Sequence, residues 1–308
     1  MLSSRKQLND LSFASDKLYA PTERENARMK ELLLMIYKDV FAVCEENNLT
    51  LFLGGGSALG QVRHGGFIPW DDDMDLMMIR EDYEAFKKIF DRTLSSKYIL
   101  QVPGAEGKTA TNLFMKVILK GTKCVELVQA NAPGEHGLWI DIFPMEYAPD
   151  HRILRRIKGF LTDALAYVCV SNYMRRFESD EMRAYAMGSA GAKINRLIRK
   201  TLGFMTAFLP YQKIYDFFDR FSRGKRETNY ITIPTGIRHY MGELHKKDVF
   251  FPAKEAYFEG EKAYLPNNTH EYLHKLYGDY MTPPPENKRE RHLYVDLDFG
   301  AYREKTHE

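Results

Sequence analysis

The chain is poor in cysteine and has no long apolar run. Its 308 residues include three cysteines, Cys44, Cys124 and Cys169, none with a neighbour at the short spacing a zinc site or redox pair needs. They read as isolated reduced thiols. No apolar stretch approaches the ~18 residues that cross a bilayer, and the opening Met1-Leu2-Ser3-Ser4-Arg5-Lys6-Gln7 lacks the apolar core of a signal peptide. The expectation is a cytoplasmic protein. Net charge is also slight, 44 Lys+Arg against 42 Asp+Glu for +2, too little for the basic footprint of a nucleic-acid-binding domain. No internal repeat or low-complexity tract is present, which argues against solenoids and wholesale disorder.

What remains is the composition of a folded protein, 44% hydrophobic and 28% charged, with length enough for a full core without disulfides. Residues 22–49 carry Met29, Leu32, Leu33, Ile36, Val40 and Val43 at helical spacing, opened by a Thr22/Glu25 capping box. Leu51–Leu53 predicts a short strand ending in Gly54-Gly55-Gly56-Ser57, where a helix can begin, and Asp75–Ile79 predicts another. A helix over 81–94 precedes extended segments at 98–102, 113–119, 123–128 and 138–143. From about residue 150 the pattern turns helical, at 151–177, 180–200 and 211–223, before short extended pieces at 247–265 and a helix near 269–277. The fold class expected is α+β, with a mixed-sheet core in residues 1–149 and a mainly helical second half, 150–308, whose C-terminal segment packs back on the core.

Chemistry concentrates between Gly54 and Leu76. A glycine run between strand and helix lets backbone N–H groups approach a phosphate, and Ser57 can add a hydroxyl; alone, such a run is commonly a tight turn. The stronger feature is Asp71-Asp72-Asp73-Met74-Asp75. Asp73 and Asp75 project from one face of an extended chain, with Met74 and Leu76 directed to the core. Two adjacent carboxylates repel unless they share a dication with oxygen preference, Mg²⁺ or Mn²⁺. A solvated acidic turn is the bland alternative. A calcium loop counted from Asp71 fits badly, because Leu76 falls where glycine is needed and Asp82 where a bidentate glutamate is expected. A manganese-dependent glycosyltransferase stays open on the acidic pair alone. A third carboxylate, Asp141, sits inside the apolar run Leu138–Phe143, where it needs a cation, an Arg or backbone donors as partner.

The run from Gly55-Gly56-Ser57 through Arg63-His64, Gly66-Phe67-Ile68-Pro69-Trp70 and Asp71-Asp72-Asp73-Met74-Asp75 resembles the LicD family of phosphotransferases, to which fukutin and the fukutin-related protein are also similar. The resemblance runs from about Glu31 to Pro144 and resumes from Tyr272-Leu273 to Tyr277-Gly278-Asp279-Tyr280-Met281 and Pro283-Pro284, leaving 150–245 unmatched. It implies a nucleotidyltransferase-fold core. It further implies transfer of a phosphoalcohol from a CDP-alcohol donor, phosphocholine from CDP-choline in bacterial members, to a hydroxyl of a cell-surface glycan precursor such as lipopolysaccharide or teichoic acid, with CMP released. Eukaryotic relatives transfer other phosphoalcohols, and the zinc loop of the fukutin-related protein has no counterpart among these three cysteines.

On this reading Asp73, Asp75 and Asp141 hold one or two Mg²⁺ (or Mn²⁺) ions, and Asp141 can also accept the proton of the attacking hydroxyl. Gly55, Gly56 and Ser57 would hold phosphates, with Arg63 and Lys116 as candidate clamps. Trp70 is the nearest aromatic wall for a quaternary ammonium, although core packing competes for it. His64 and His136, each beside glycine, read as turn residues, and the roles of Asp71 and Asp72 are not separable. A catalytically inactive binder of nucleotide or glycan is the non-enzymatic alternative. Finally, residues 151–200 hold eleven Lys/Arg against four Asp/Glu. Arg152, Arg155, Arg156, Lys193, Arg196, Arg199 and Lys200 lie among Leu154, Ile157, Phe160, Leu197 and Ile198. Either the apolar residues fill a core and the charges solvate the outside, or the surface meets a membrane carrying a lipid-linked acceptor.

Overall fold

A computed structural model of the protein describes residues 18–104, 112–180, 182–183, 190–286, 289 and 292–303. Helix α1 (Glu23–Glu46) opens with the expected capping box: Thr22 accepts from the Glu25 backbone while Glu25 reaches back to the Thr22 backbone N–H. Its buried stripe, Met29, Leu32, Leu33, Ile36, Tyr37 and Val40, joins the main core. Strand β1 (Phe52–Leu53) leads into α2 (Gly55–His64), which Gly65 ends in the left-handed conformation that glycine adopts without strain. After an irregular acidic segment come β2 (Asp75–Ile79), α3 (Arg80–Thr93), β3 (Tyr98–Gln101), β4 (Met115–Leu119), β5 (Lys123–Glu126) and β6 (Trp139–Ala148).

The main sheet runs β3-β4-β6-β2-β1-β10-β9, where β9 (Lys254–Phe258) and β10 (Glu261–Leu265) form a late hairpin. β2 pairs with β6 and β1 with β10 in parallel; β1–β2, β3–β4, β4–β6 and β9–β10 are antiparallel. The mixed sheet confirms the α+β expectation. The long β6 also pairs with β4 near its start and with β7 (Tyr230–Thr232) near its end, and β7 pairs with β8 (His245–Lys246).

Between these, α4 (Arg152–Phe177), α5 (Ala190–Met205) and α6 (Tyr211–Ser222) form the helical part, with a second, smaller core of Cys169, Tyr173, Tyr211, Ile214, Tyr215 and Phe218. A one-turn helix, α7 (His239–Gly242), precedes β8, and α8 (Thr269–Tyr277) follows the hairpin. Helix α5 extends beyond the expected end at 200; the part of that expectation on 181 and 184–189, like the N-terminal reading of residues 1–17, lies outside the described residues. Strand β11 (Tyr294–Asp298), which no sequence pattern announced, pairs with β5.

Core and helical part are tied by a buried ionic knot. The Arg80 guanidinium, at the start of α3, donates from Nε to Glu146 of β6 at 2.7 Å and lies 3.0 Å from both Asp219 of α6 and Glu84. The other Glu146 oxygen accepts the Gly224 N–H at 2.9 Å. Burial opposes the charged guanidinium, but Glu146 and Asp219 outweigh it and hold its pKa high.

Candidate active site

The sheet register builds the site. On the parallel pair β2–β6, Asp75 stands opposite Asp141, and on the antiparallel pair β4–β6, Lys116 stands opposite Asp141. Residues opposed in register project to one side, so these three share a face of the sheet, and Asp73, two residues before Asp75, shares the side of Asp75. Met74 and Leu76 turn to the core as expected, both essentially inaccessible.

The carboxylates crowd one another. Burial first, then the charges of Asp73 and Asp141, push the Asp75 carboxyl far above the usual range. Burial also lifts Asp141, to about 6, against the opposing ammonium of Lys116. Asp71 reaches about 8 through burial and the charges of Asp73 and Asp72. Asp141 Oδ1 is buried without a hydrogen-bond partner; Lys116 Nζ lies 3.6 Å away. Repelling buried carboxylates and an orphaned carboxylate oxygen are the donor set a hard dication fits.

The glycine turn is shaped by the same group. Gly55 adopts φ +38°, and a Cβ there would lie 2.7 Å from Asp75 Oδ2. The Gly56 N–H donates to that same oxygen at 3.4 Å, the Gly55 N–H donates to the Tyr272 hydroxyl at 3.0 Å, and Ser57 Oγ accepts the Asp75 N–H at 2.9 Å. The first helical donors therefore orient Asp75, and the Ser57 hydroxyl hydrogen is left to donate. Replacing Gly55 with Ala should displace the Asp75 carboxylate and cost about 1–2 kcal/mol of stability from backbone strain. Turnover should fall ~10- to 100-fold, as a carboxylate shifted by about 1 Å misaligns the reacting groups. Comparing melting temperature and turnover of the variant checks this, and normal turnover would remove the turn from the site.

The two candidate clamps are already engaged. Lys116 Nζ is buried, 3.4 Å from Glu126 and 3.8 Å from the centroid of the Trp139 ring; Asp141 and Glu126 overcome burial and raise its pKa. Arg63 donates to the Tyr280 carbonyl at 2.9 Å and to His64, and its guanidinium faces Trp70 at 5.6 Å. Arg289 covers the same indole at 4.2 Å, so Trp70 already meets two cations. His136 bonds to Gln129 and the Ala132 carbonyl, a structural position.

Two residues escaped the sequence reading. His292, just before β11, donates its Nδ1–H to Asp72 at 2.8 Å, its backbone N–H donates to Asp72 at 3.2 Å, and Nε2 faces Asp73 at 3.8 Å and Glu126 at 3.7 Å. Burial disfavours its charge, but Asp72, Asp73 and Glu126 together raise its pKa strongly. Asp72 answers in kind: burial works to raise it, and the His292 charge and hydrogen bonds pull it below the usual range. Among the described residues, Asp72, Asp73 and His292 present ligand atoms within 4.8 Å of one another. The expected trio of Asp73, Asp75 and Asp141 does not meet that distance: its members are joined by strand register and mutual repulsion, and Asp73 alone is shared with the closer group. His292 and Glu126 could not be found from spacing, since they lie 220 and 54 residues from Asp72 and enter through the β5–β11 pairing.

Comparison with known proteins falls on the same segment. Residues 48–155 match the sequence model described as LicD/FKTN/FKRP, nucleotidyltransferase domain. Lipopolysaccharide cholinephosphotransferase LicD of Haemophilus influenzae is 26% identical over 274 residues, spanning 86% of this chain and 95% of that protein. An uncharacterized protein of Rickettsia typhi is 35% identical over 79 residues, 26% of this chain and 24% of its own. β1, the glycine turn, the Asp71–Asp75 run and Asp141 all lie inside the matched residues. Over these residues the chain is similar to the LicD/FKTN/FKRP nucleotidyltransferase domain.

Proposed function

We propose that the protein is a metal-dependent phosphotransferase that moves a phosphoalcohol, phosphocholine from CDP-choline, to a hydroxyl of a lipopolysaccharide-type or other cell-surface glycan precursor, releasing CMP. The observation that carries the reading is the register pairing of Asp75 with Asp141 beside Asp73, which concentrates buried negative charge without enough internal cations. Similarity along most of the chain to a lipopolysaccharide cholinephosphotransferase supports the choice of donor and acceptor class.

Asp73, Asp75 and Asp141 would hold Mg²⁺ or Mn²⁺, which when bound neutralises the charge developing on a diphosphate. The protein's own groups do the rest. The Gly55–Ser57 turn fixes the Asp75 carboxylate and offers the Ser57 hydroxyl to a phosphate oxygen. Asp141, with its carboxyl near 6, suits a general base that accepts the proton of the attacking sugar hydroxyl. Lys116, held between Asp141 and Glu126, fixes the orientation of that base. Asp72 sets the orientation of the His292 ring, whose Nε2 faces Asp73.

The deciding experiment is to incubate the protein with CDP-choline, Mg²⁺ and a glycan acceptor and to identify the released nucleotide. CMP that disappears with chelator supports the proposal. Release of a nucleoside diphosphate from a UDP- or GDP-sugar instead would establish a glycosyltransferase, and nucleotide binding without turnover would establish an inactive binder.

A further inference from the structure

The helical part carries an unusual surface. Of the 19 large apolar side chains exposed among the described residues, 13 lie between Ile153 and Phe217. At about 100° per residue, Ile153, Ile157, Phe160, Leu161 and Ala164 of α4 fall within an arc of roughly 100°. Ile194, Leu197, Ile198, Phe204 and Met205 of α5 span an arc of roughly 120°. These arcs face solvent: Phe160 is 73% exposed, Phe204 75% and Phe208, in the turn after α5, 80%.

A helix of a water-soluble domain buries its apolar arc and exposes its polar one. Here the order is reversed. The faces that α4 and α5 turn to each other are small and polar. A Cβ on Gly203 would meet the Ser171 carbonyl at 2.5 Å, and Asn172 donates to the Thr206 carbonyl and hydroxyl at 2.8 and 3.0 Å. The core-filling alternative for Leu154, Ile157, Phe160, Leu197 and Ile198 therefore fails, since all five are exposed.

Charge identifies the occupant. Arg152 and Arg156 stand exposed toward one edge of the α4 arc, and Lys193 and Lys200 border one edge of the α5 arc. Three other basic residues of the two helices are engaged: Arg155 is buried against backbone carbonyls and Tyr230, Arg196 pairs with Glu178 at 2.8 Å, and Arg199 stacks on Tyr167 at 4.3 Å. A second copy docking through the same patch would set cations against cations across a two-fold axis. A bilayer with anionic headgroups accepts both parts, apolar side chains at the acyl boundary and ammonium or guanidinium groups at the phosphates. No helix among the described residues is long and apolar enough to cross a membrane, so contact would be lengthwise at the interface.

We infer that the exposed faces of α4 and α5, with the turn at 204–209, form a docking surface for an anionic phospholipid bilayer. The inference does not depend on the catalytic reading. It is tested by sedimenting the full chain with vesicles of phosphatidylcholine alone and with about one-third phosphatidylglycerol. The anionic vesicles should bind at least ~10-fold more protein, and most of that preference should vanish on raising salt from ~0.1 to ~0.5 M. Lys193→Glu with Lys200→Glu should lose it at low salt, and Phe160→Asp with Phe204→Asp should lose binding to both vesicle types while melting like the parent. If the Asp pair melts early, Phe160→Ser with Phe204→Ser takes its place. Equal binding to neutral and anionic vesicles, or binding to neither, would overturn the inference. So would a concentration-dependent dimer that the same substitutions dissociate in a protein indifferent to vesicles, which would reassign the surface to a second copy.

Discussion

On the proposed function, Asp75→Asn should reduce turnover by at least ~10³-fold while the fold persists, because the amide keeps the volume and removes the charge that a bound dication would need. In the metal-free protein the same substitution should raise the melting temperature. The Asp75 carboxyl is held far above its ordinary value, first by burial and then by Asp73 and Asp141, so its ionised form is the destabilised one. A group with a raised folded pKa contributes stability that is complete below its unfolded value, near pH 4, and lost as pH rises through the folded value. The advantage of Asn over Asp should therefore grow with pH. Added Mg²⁺ should stabilise the parent more than the variant. Near-normal turnover at saturating Mg²⁺, or equal metal stabilisation of both proteins, would remove Asp75 from the metal site.

Arg80→Ala should cost about 3–5 kcal/mol in urea unfolding, the largest stability effect expected of any single change outside the core. The loss comes from what remains: Glu146 is wholly inaccessible and would be left with buried charge and no guanidinium, while Asp219, 13% exposed, would keep Arg223 alone. Glu146 keeps only the Gly224 N–H. Because this knot joins α3 and β6 to α6, the variant should also loosen the helical part, seen as faster amide exchange in α6 than in α1. A loss below about 1 kcal/mol would show that water or Arg223, which lies 2.5 Å from Asp219 and 3.0 Å from Glu84, takes over the role of Arg80.

Much of the candidate site could be read from local pattern. The capping box of α1, the strand–glycine–helix turn and the two-residue spacing of Asp73 and Asp75 are short-range signals, and each recurs in the structure. Asp141 was recognisable because a lone acid in an apolar strand demands a partner. The surroundings of Lys116 were not legible: its candidacy as a clamp came from the residue type alone, and the β4–β6 register sets it against Asp141 and Glu126. His292 and Glu126 were invisible because only tertiary pairing of β5 and β11 carries them to the aspartates. The helical half misleads in the opposite way. Periodicity shows that apolar residues share a face but not whether that face is buried, and here several point outward.

The parallel pairing of β1 with β10 bears on how the chain acquires its shape during synthesis. Phe52 meets Tyr264, so more than 200 residues must leave the ribosome before the β1 edge finds its neighbour. Until then a short apolar strand next to the aspartates has one unpaired side, the kind of edge that invites intermolecular pairing. His292 arrives later still, from 220 residues beyond Asp72. The nascent chain therefore passes through a long interval in which the glycine turn and the acidic run exist but their supporting strand and imidazole do not. Truncation after β6 would freeze that interval, leaving a fragment with the glycine turn and the acidic run but an open edge on its sheet.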